Sequence, residues 1–256
     1  MSLDWTDRTV FVTGATAGFG EAIARAYAKL GARLILCGRR QDRLAALVAE
    51  LGVPCHILVL DVRDRKAVED AVAGLPAPFF AIDVLVNNAG LALGVSPAHE
   101  SSLDDWETMI DTNVKGLMTM TRAVLPGMVK RDRGHVVNMS SIAGTYPYPG
   151  GNAYGASKAA VSQFSLNLLA DLVKTRVRVT NIEPGLCGGS EFSLVRYKGD
   201  TEAAAKVYAG TTPLTSEDVA EAVVWATSLP AHVNINRIEM MPTCQAPAGL
   251  TVARSS

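Results

Sequence analysis

The chain has 256 residues, of which 48% are hydrophobic, so it is long enough to bury one large core. Its 24 basic and 25 acidic residues leave a formal net charge of −1, which argues against nucleic acid and anionic membranes as partners. Asp4, Asp7 and Arg8 precede the first apolar stretch, unlike a secretory signal, and no run reaches the roughly 18 apolar residues that span a bilayer. We therefore expect a cytoplasmic protein.

The cysteines and histidines are scattered, with no CxxC or HExxH spacing among them. Reduced thiols that pack as small core residues are the favoured interpretation, and a disulfide or metal role is the alternative. We predict no metal site. The residues concerned are Cys37, Cys55, Cys187, Cys244, His56, His99, His135 and His232.

Short β-branched stretches alternate along the chain with longer Ala- and Leu-rich amphipathic stretches. The strand stretches are dense in Val, Ile and Leu, which is typical of a parallel sheet with helices on both faces. This order predicts an α/β fold: a single Rossmann-type domain over residues 1–256, with a doubly wound parallel sheet of about seven strands. The predicted strands are 9–13, 33–37, 56–61, 84–87, 135–139, 177–182 and 237–241, and the predicted helices lie near 20–30, 40–51, 64–74, 103–130, 152–174 and 216–229.

A glycine-rich turn, TGATAGFG at residues 13–20, follows the first predicted strand. In open α/β sheets, ligands bind beyond the carboxyl ends of the strands. Glycines there permit a tight turn and let a pyrophosphate approach backbone N–H groups at a helix start. We predict that Gly14, Gly18, Phe19 and Gly20 bind a dinucleotide. A plain tight turn is the alternative, since the spacing is GxxxGxG rather than GxGxxG.

Two arginines, Arg39 and Arg40, follow the second predicted strand, where NAD-binding folds usually carry a carboxylate for the ribose 2′-hydroxyl. Guanidinium groups match a 2′-phosphate. The alternative is a solvated basic pair at a helix start, a place that disfavours cations. The pair therefore predicts NADP(H).

Two more strand ends contribute to the predicted cofactor site. Asp61 and Val62 end the third strand, where the carboxylate is placed to bond an adenine amino group. NNAG at residues 87–90, which includes Asn88, lets the backbone pass close to a ribose.

Ser141 follows the fifth strand, and Tyr154 and Lys158 lie four residues apart in the next predicted helix. Positions i and i+4 share one helix face, so phenol and ammonium can converge. A nearby cation lowers the pKa of tyrosine, as general acid–base catalysis requires. YxxxK also occurs by chance on helix surfaces, which is the alternative for this pair alone.

Taken together, these motifs resemble those of the short-chain dehydrogenase/reductase family, nearly from end to end. The resemblance implies that Tyr154 is the acid/base and that Ser141 hydrogen-bonds the substrate oxygen. It also implies that Lys158 lowers the Tyr154 pKa and holds the nicotinamide ribose, and that Asn113 positions a water that relays protons to Lys158. The matching segments are TGATAGFG, NNAG, Asn113 in DTNV, Ser141, Tyr154 with Lys158, and the cofactor-binding pair Pro184 and Gly185.

The sequence departs from the family pattern at two places. Ala17 stands where many NADP-using members carry Lys or Arg, so the NADP(H) prediction depends on Arg39 and Arg40. Gly189 stands where PGxxxT has Thr, and Ser190 follows it. Whether Ser190 makes the contact expected of that Thr stays open at this point.

The family resemblance makes the segment after Pro184-Gly185, about 186–212, a substrate lid that excludes water. Local likeness to the branch of NADP-dependent 3-hydroxy acid dehydrogenases implies a small anionic substrate of serine, allo-threonine or 3-hydroxypropionate type. Sulfoacetaldehyde reductases, which form isethionate, are the alternative. Arg196, Tyr148 and Gln245 are the predicted anion-binding residues. For Arg196 the alternative is a solvated surface arginine, and for the other two it is ordinary packing.

Other classes are less favoured. A non-catalytic dinucleotide-binding regulator would not need the complete set of Asn113, Ser141, Tyr154 and Lys158. An epimerase or dehydratase of the extended branch would carry GxxGxxG and a longer C-terminal domain. The family resemblance also predicts a homotetramer.

Overall fold

Seven parallel strands form one sheet in residues 4–247, the part of the chain that the computed structural model describes. Their order across the sheet is β3-β2-β1-β4-β5-β6-β7, so the predicted doubly wound sheet is confirmed. The direction of winding reverses between β1 and β4, which opens a crevice at their carboxyl ends. The strands are β1 (Thr9–Thr13), β2 (Arg33–Gly38), β3 (Cys55–Val59), β4 (Ile82–Asn87), β5 (Gly134–Met139), β6 (Val177–Pro184) and β7 (Arg237–Met240).

Helices cover both faces of this sheet. Val10 and Val12 of β1 pack into one buried cluster and Phe11 into the other, which explains why the strands are apolar without alternation. The helices are α1 (Gly18–Lys29), α2 (Gln41–Leu51), α3 (Arg65–Ala73), α4 (Leu103–Ile110), α5 (Leu117–Lys130), α6 (Asn152–Asp171), α7 (Phe192–Arg196), α8 (Thr201–Lys206) and α9 (Ser216–Ser228). Helices α1, α2 and α9 contribute to the first cluster, and α3, α5 and α6 to the second.

The single helix predicted over residues 103–130 is wrong in one respect. A π-helical turn, Asp111–Gly116, separates α4 from α5 and contains Asn113. A Cβ on Gly116 would lie 2.7 Å from Val62 Cγ2, so the turn approaches the end of β3 closely. Such turns occur often at functional sites, and apolar periodicity does not reveal their extra residue.

Two predicted strand ends shift at the edge of the sheet where the site lies, and one predicted helix end shifts at the opposite edge. β3 ends at Val59, so Asp61 and Val62 lie beyond the strand rather than in it. β6 extends to Pro184, two residues further than predicted. α6 ends at Asp171 rather than near residue 174.

Residues 186–212 lie over the carboxyl edge of the sheet and are called the covering segment below. The segment contains α7 and α8. Its base is attached to Leu214: Gly188 N–H donates to Leu214 O at 2.9 Å, and Leu214 N–H donates to Leu186 O at 3.0 Å. The segment is therefore ordered by its own helices and by backbone contacts.

Over residues 4–247, no helix has the length and apolar character needed to cross a membrane. The same residues contain no cluster of three or more His, Cys, Asp or Glu that could hold a metal ion. All four cysteines lie in this range, and each is a free thiol.

Candidate functional site

A cavity of about 600 Å³ lies at the carboxyl edge of the sheet, between the strand ends and the covering segment. It runs without interruption from the glycine turn to the covering segment. Gly20 and Asn113 lie just behind its wall. All the other predicted site residues line it: Gly14, Gly18, Phe19, Arg39, Arg40, Asp61, Val62, Asn88, Ser141, Tyr148, Tyr154, Lys158, Pro184, Gly185, Arg196 and Gln245.

The glycine turn has the geometry that a pyrophosphate requires. Gly14 and Gly18 have φ values of 66° and 54°, in the region that favours glycine. A Cβ on Gly20 would stand 2.2 Å from Gly14 O, so α1 begins directly against the turn. Asn88 Nδ2 donates to Thr13 O at 2.9 Å and to Gly14 O at 3.2 Å, which joins β4 to the turn. These contacts fix the turn so that backbone N–H groups at the start of α1 can bind a pyrophosphate. The turn therefore fits a dinucleotide.

The two predicted phosphate-binding arginines differ in their surroundings. Arg39 is exposed at the cavity rim. Arg40 donates from Nε and Nη2 to Thr16 Oγ1, at 3.2 and 2.8 Å, and from Nη1 to Glu191 Oε2 at 2.8 Å. Arg39 is therefore the more accessible anion ligand, while Arg40 already connects the glycine turn to the covering segment.

Asp61 lines the cavity, but its carboxylate is also engaged within the chain. Arg63 donates to it from Nε at 3.1 Å and from Nη2 at 2.7 Å. The hydrogen bond from Arg63 holds the pKa of Asp61 below its ordinary value. An adenine amino group would have to share this carboxylate with Arg63.

Ser141 and Tyr154 lie together at the buried end of the cavity. Ser141 follows β5, where its Oγ donates to Pro184 O at 3.3 Å and accepts from Ala143 N–H at 3.1 Å. Burial raises the pKa of the Tyr154 phenol above its ordinary value, while the neighbouring Ser141 hydroxyl and the Arg196 guanidinium lower it. Tyr154 is therefore protonated at neutral pH in this structure.

Lys158 lies behind Tyr154 rather than in contact with its hydroxyl. Its Nζ lies 5.8 Å from the centre of the Tyr154 ring and donates to Met139 O at 2.8 Å. Burial lowers the pKa of Lys158 to about 8. In this structure Ser141 and Arg196 lower the Tyr154 pKa, and the predicted contribution of Lys158 stays a prediction.

Asn113 is close to Lys158, but its side chain is held by the loop after β4. Its Oδ1 accepts from Leu91 N–H and its Nδ2 donates to Leu91 O, both at 2.9 Å. A Cβ on Gly90 would lie 3.1 Å from Asn113 Oδ1 and 3.4 Å from Lys158 Nζ. The π-helical turn therefore brings Asn113 to the back of the site.

Arg196, at the end of α7, points into the cavity. Its guanidinium carbon lies 5.2 Å from the centre of the Tyr148 ring and 5.7 Å from that of Tyr154. Its Nε donates to Gly94 O at 3.3 Å, and Gly94 N–H donates back to Arg196 O at 3.0 Å. The covering segment thus places a cation directly over the predicted acid/base.

Gln245 has a positional role that the sequence did not suggest. Its Oε1 accepts from Leu186 N–H at 2.7 Å, and a Cβ on Gly185 would stand 2.3 Å from that oxygen. The Gln245 carbonyl oxygen therefore holds the start of the covering segment. Ser190 also faces the nucleotide end, since a Cβ on Gly18 would lie 3.1 Å from Ser190 Cβ.

The cavity residues that sequence reasoning missed include Phe192 and Glu191, which belong to the covering segment and contact predicted site residues. Phe192 packs on Tyr154, with ring centres 5.7 Å apart. Glu191 pairs with Arg40 and also with Arg43, at 2.8 Å each. Neither residue belongs to a motif, and a short segment of undefined conformation predicts no partner for them.

Comparison with known proteins places this geometry in a family. The family model for short chain dehydrogenase matches residues 8–195. The NADP-dependent 3-hydroxy acid dehydrogenase YdfG of Salmonella typhi is 63% identical over 246 residues, which cover 96% of this chain and 99% of the relative. The serine 3-dehydrogenase of Agrobacterium fabrum is 51% identical over 248 residues, which cover 97% and 99%.

Two solved structures of serine dehydrogenases are also similar to this chain. The closed form of a serine dehydrogenase complexed with NADP+ has a TM-score of 0.95 at 62% identity, covering 96% of this chain and 100% of the other. A crystal structure of serine dehydrogenase from Escherichia coli has a TM-score of 0.82 at 56% identity, with 93% and 99% covered. The glycine turn, the Ser-Tyr-Lys arrangement and these matches lead to one conclusion: the chain belongs to the short-chain dehydrogenase family.

Proposed function

We propose that this protein is an NADP(H)-dependent oxidoreductase that acts on a CH–OH group of a small anionic 3-hydroxy acid. The substrate is of serine, allo-threonine or 3-hydroxypropionate type, and the product is the matching semialdehyde or ketone. The observation that carries this proposal is the position of Arg196, with its guanidinium over the ring of Tyr154. The names of the relatives support the same substrate class and cofactor.

The distance between anchor and acid/base limits the size of the substrate. The Arg196 guanidinium carbon lies only 5.7 Å from the centre of the Tyr154 ring. A carboxylate paired with Arg196 therefore leaves room for only a short carbon chain before the carbonyl that meets the Tyr154 hydroxyl. Guanidinium forks bind carboxylates with two parallel hydrogen bonds, which would also orient the chain.

Tyr154 is the proton donor in the reductive direction. Since burial raises its pKa, the phenol carries its proton at neutral pH and can donate it to a carbonyl oxygen. Ser141 donates a hydrogen bond to the same oxygen, which stabilises the negative charge that develops there. Arg196 stabilises the resulting phenolate, because its cation lies over the ring.

The glycine turn would hold the cofactor at its pyrophosphate and Arg39 would hold it at its 2′-phosphate, while Lys158 would bind the nicotinamide ribose. When bound, NADP(H) supplies or accepts the hydride. Lys158 returns a proton to Tyr154, and Asn113 positions a water behind Lys158 for that relay. The approach of both side chains to Gly90 supports this arrangement.

The covering segment acts as a lid within one dinucleotide-binding and catalytic domain. Phe192 and Arg196 lie on the same face of α7 and both cover Tyr154, which would exclude water during hydride transfer. The TM-score of 0.95 with the closed form of the NADP+-complexed relative supports a closed position.

Reduction of sulfoacetaldehyde to isethionate is the second candidate, because a sulfonate also pairs with a guanidinium. The test is steady-state kinetics with malonic semialdehyde and sulfoacetaldehyde, side by side with NADPH. We expect the higher kcat/KM with malonic semialdehyde. A higher value with sulfoacetaldehyde would reverse the assignment, and no turnover with either aldehyde would contradict the proposed function.

We also propose a homotetramer in the cytoplasm. Large apolar side chains are exposed on three helices, as expected of two separate interfaces: Met118 and Val129 of α5, Leu166 of α6 and Trp225 of α9. Light scattering would measure the mass of the assembly. A monomer would contradict this prediction.

A further inference from the structure

One carboxylate connects the covering segment to the nucleotide end of the cavity. Glu191 Oε2 accepts from Arg40 Nη1 and Glu191 Oε1 accepts from Arg43 Nη1, each at 2.8 Å. The two arginines come 151 and 148 positions earlier in the chain, at the end of β2 and the start of α2. Both oxygens of Glu191 are thus used to cross the mouth of the cavity.

Arg40 extends this connection to the glycine turn. Its Nη2 donates to Thr16 Oγ1 at 2.8 Å, while its Nη1 donates to Glu191 Oε2. Next to Glu191, Ser190 packs against Gly18, at 3.1 Å from an added Cβ. Opening the covering segment would therefore separate it from Arg40, Arg43 and the turn at once.

Arg43 differs from Arg40 in its relation to the cavity. The cavity-lining residues of the described chain include Arg40 and Glu191 but not Arg43. Arg43 is thus placed to hold Glu191 without contacting a bound dinucleotide. Arg39 is left exposed at the rim, where it can receive the 2′-phosphate.

We propose that Glu191 is a positioning residue that holds the covering segment closed over the phosphate-bearing end of NADP(H) by pairing with Arg40 and Arg43. This role rests on the proposed function, because it assumes that NADP(H) occupies the cavity. Single ion pairs at partly exposed positions are weak, but this carboxylate binds two guanidinium groups. Closure at this end slows cofactor release and keeps Arg196 over the substrate.

The test compares Glu191→Gln, Arg43→Gln and the double variant with the unmodified enzyme. A matched control is Glu69→Gln, which breaks the exposed Arg65–Glu69 pair of the same 2.8 Å length on α3. Hydrogen exchange of residues 186–212 is measured on the free protein, and NADPH dissociation by stopped-flow displacement. Both rates are expected to rise about threefold to tenfold in Glu191→Gln and less in Arg43→Gln.

The double variant should match Glu191→Gln, because the two residues contribute to one interaction. KM for NADPH should rise with the dissociation rate. Unchanged exchange and unchanged dissociation would overturn the proposal. Slower NADPH dissociation in Glu191→Gln would also overturn it, because the carboxylate would then compete with the 2′-phosphate for Arg40.

These readouts separate this proposal from the proposed function. Hydrogen exchange and NADPH release need no substrate, so both remain measurable if no aldehyde is turned over. If the unmodified protein failed to bind NADPH, the proposed function would fail. The exchange rates would then still report whether Glu191 holds the covering segment.

Discussion

The floor of the cavity and the covering segment above it are held in place by different forces. The floor consists of the glycine turn, the ends of β4 and β5 and the first turns of α6. There, buried groups such as Lys158 Nζ bond directly to backbone carbonyls. The covering segment is held by backbone hydrogen bonds at its base and by partly exposed ion pairs, Glu191 with Arg40 and Arg43, and Lys198 with Asp105. In the proposed function, the chemistry therefore lies on the floor and the selection of ligands on the covering segment.

The largest effect is expected from Tyr154→Phe, which changes only the floor. Loss of the acid/base should lower kcat about 10²–10⁴-fold, because that is the usual contribution of a positioned proton donor. NADPH oxidation with malonic semialdehyde measures this. NADPH affinity should be nearly unchanged, and a kcat within a few-fold of the unmodified enzyme would remove Tyr154 from its proposed role.

Arg196→Ala tests the covering segment in the same assay. KM for an anionic aldehyde should rise about 30-fold or more, since loss of one partner of a hydrogen-bonded charge pair costs about 2–5 kcal/mol. Propanal, which has no anionic group, is the control substrate, and its KM should change little, because weaker stabilisation of the Tyr154 phenolate lowers kcat for both aldehydes. Equal increases of KM with both aldehydes would show that Arg196 serves only to close the cavity.

Arg39→Asp tests the rim between floor and covering segment. The ratio of kcat/KM for NADPH to that for NADH should fall at least about tenfold, because one charge-assisted hydrogen bond contributes roughly 1.5–3 kcal/mol. Arg65→Asp makes the same change of charge on exposed α3 and is the control. A ratio that both variants lower equally would point to a general charge effect.

A pair of glycine variants compares the two regions directly. In Gly20→Ala the new Cβ would stand 2.2 Å from Gly14 O in the floor, so Tm should fall and NADPH should bind more weakly. Overpacking typically costs about 1–3 kcal/mol. Gly189→Ala in the covering segment meets no atom within 4 Å and carries only the strain of its φ of 73°. A larger decrease of Tm in Gly189→Ala than in Gly20→Ala would contradict the expected difference between the floor and the covering segment.

The smallest expected effect is the change of the reduction rate with pH. Carbonyl reduction needs the proton of Tyr154, which the raised pKa retains, and a protonated Lys158, whose pKa is lowered to about 8. The rate of saturated NADPH oxidation should therefore be level below about pH 8 and decline above it. Initial rates from pH 6 to 10 measure this, and a rate that increases between pH 8 and 10 would contradict the assignment.

Most of the floor was predictable, because its residues belong to short motifs that are local in the sequence. The glycine turn, Ser141 and the Tyr154–Lys158 pair each lie directly after a strand or within the first turns of a helix. The π-helical turn around Asn113 was not predictable, since one extra residue in a turn does not disturb apolar periodicity. The engagement of Asp61 by Arg63 and of Gln245 by Leu186 was also missed, because side-chain partners depend on backbone geometry.

The sequence by itself determined the sheet class and the residues that stand at strand ends, because these follow from periodicity and from local spacing, and its motifs carried the resemblance to the family. Only the tertiary structure decided which charges meet across the cavity. The resemblance made Arg196 a predicted anion ligand but left a solvated surface arginine as the alternative, and only the fold, through α7, places its guanidinium over Tyr154. Glu191 lies some 150 positions from Arg40 and Arg43 and meets them only when the chain is folded. The physical reason is that ion pairs between distant segments have no periodicity and no local spacing to reveal them.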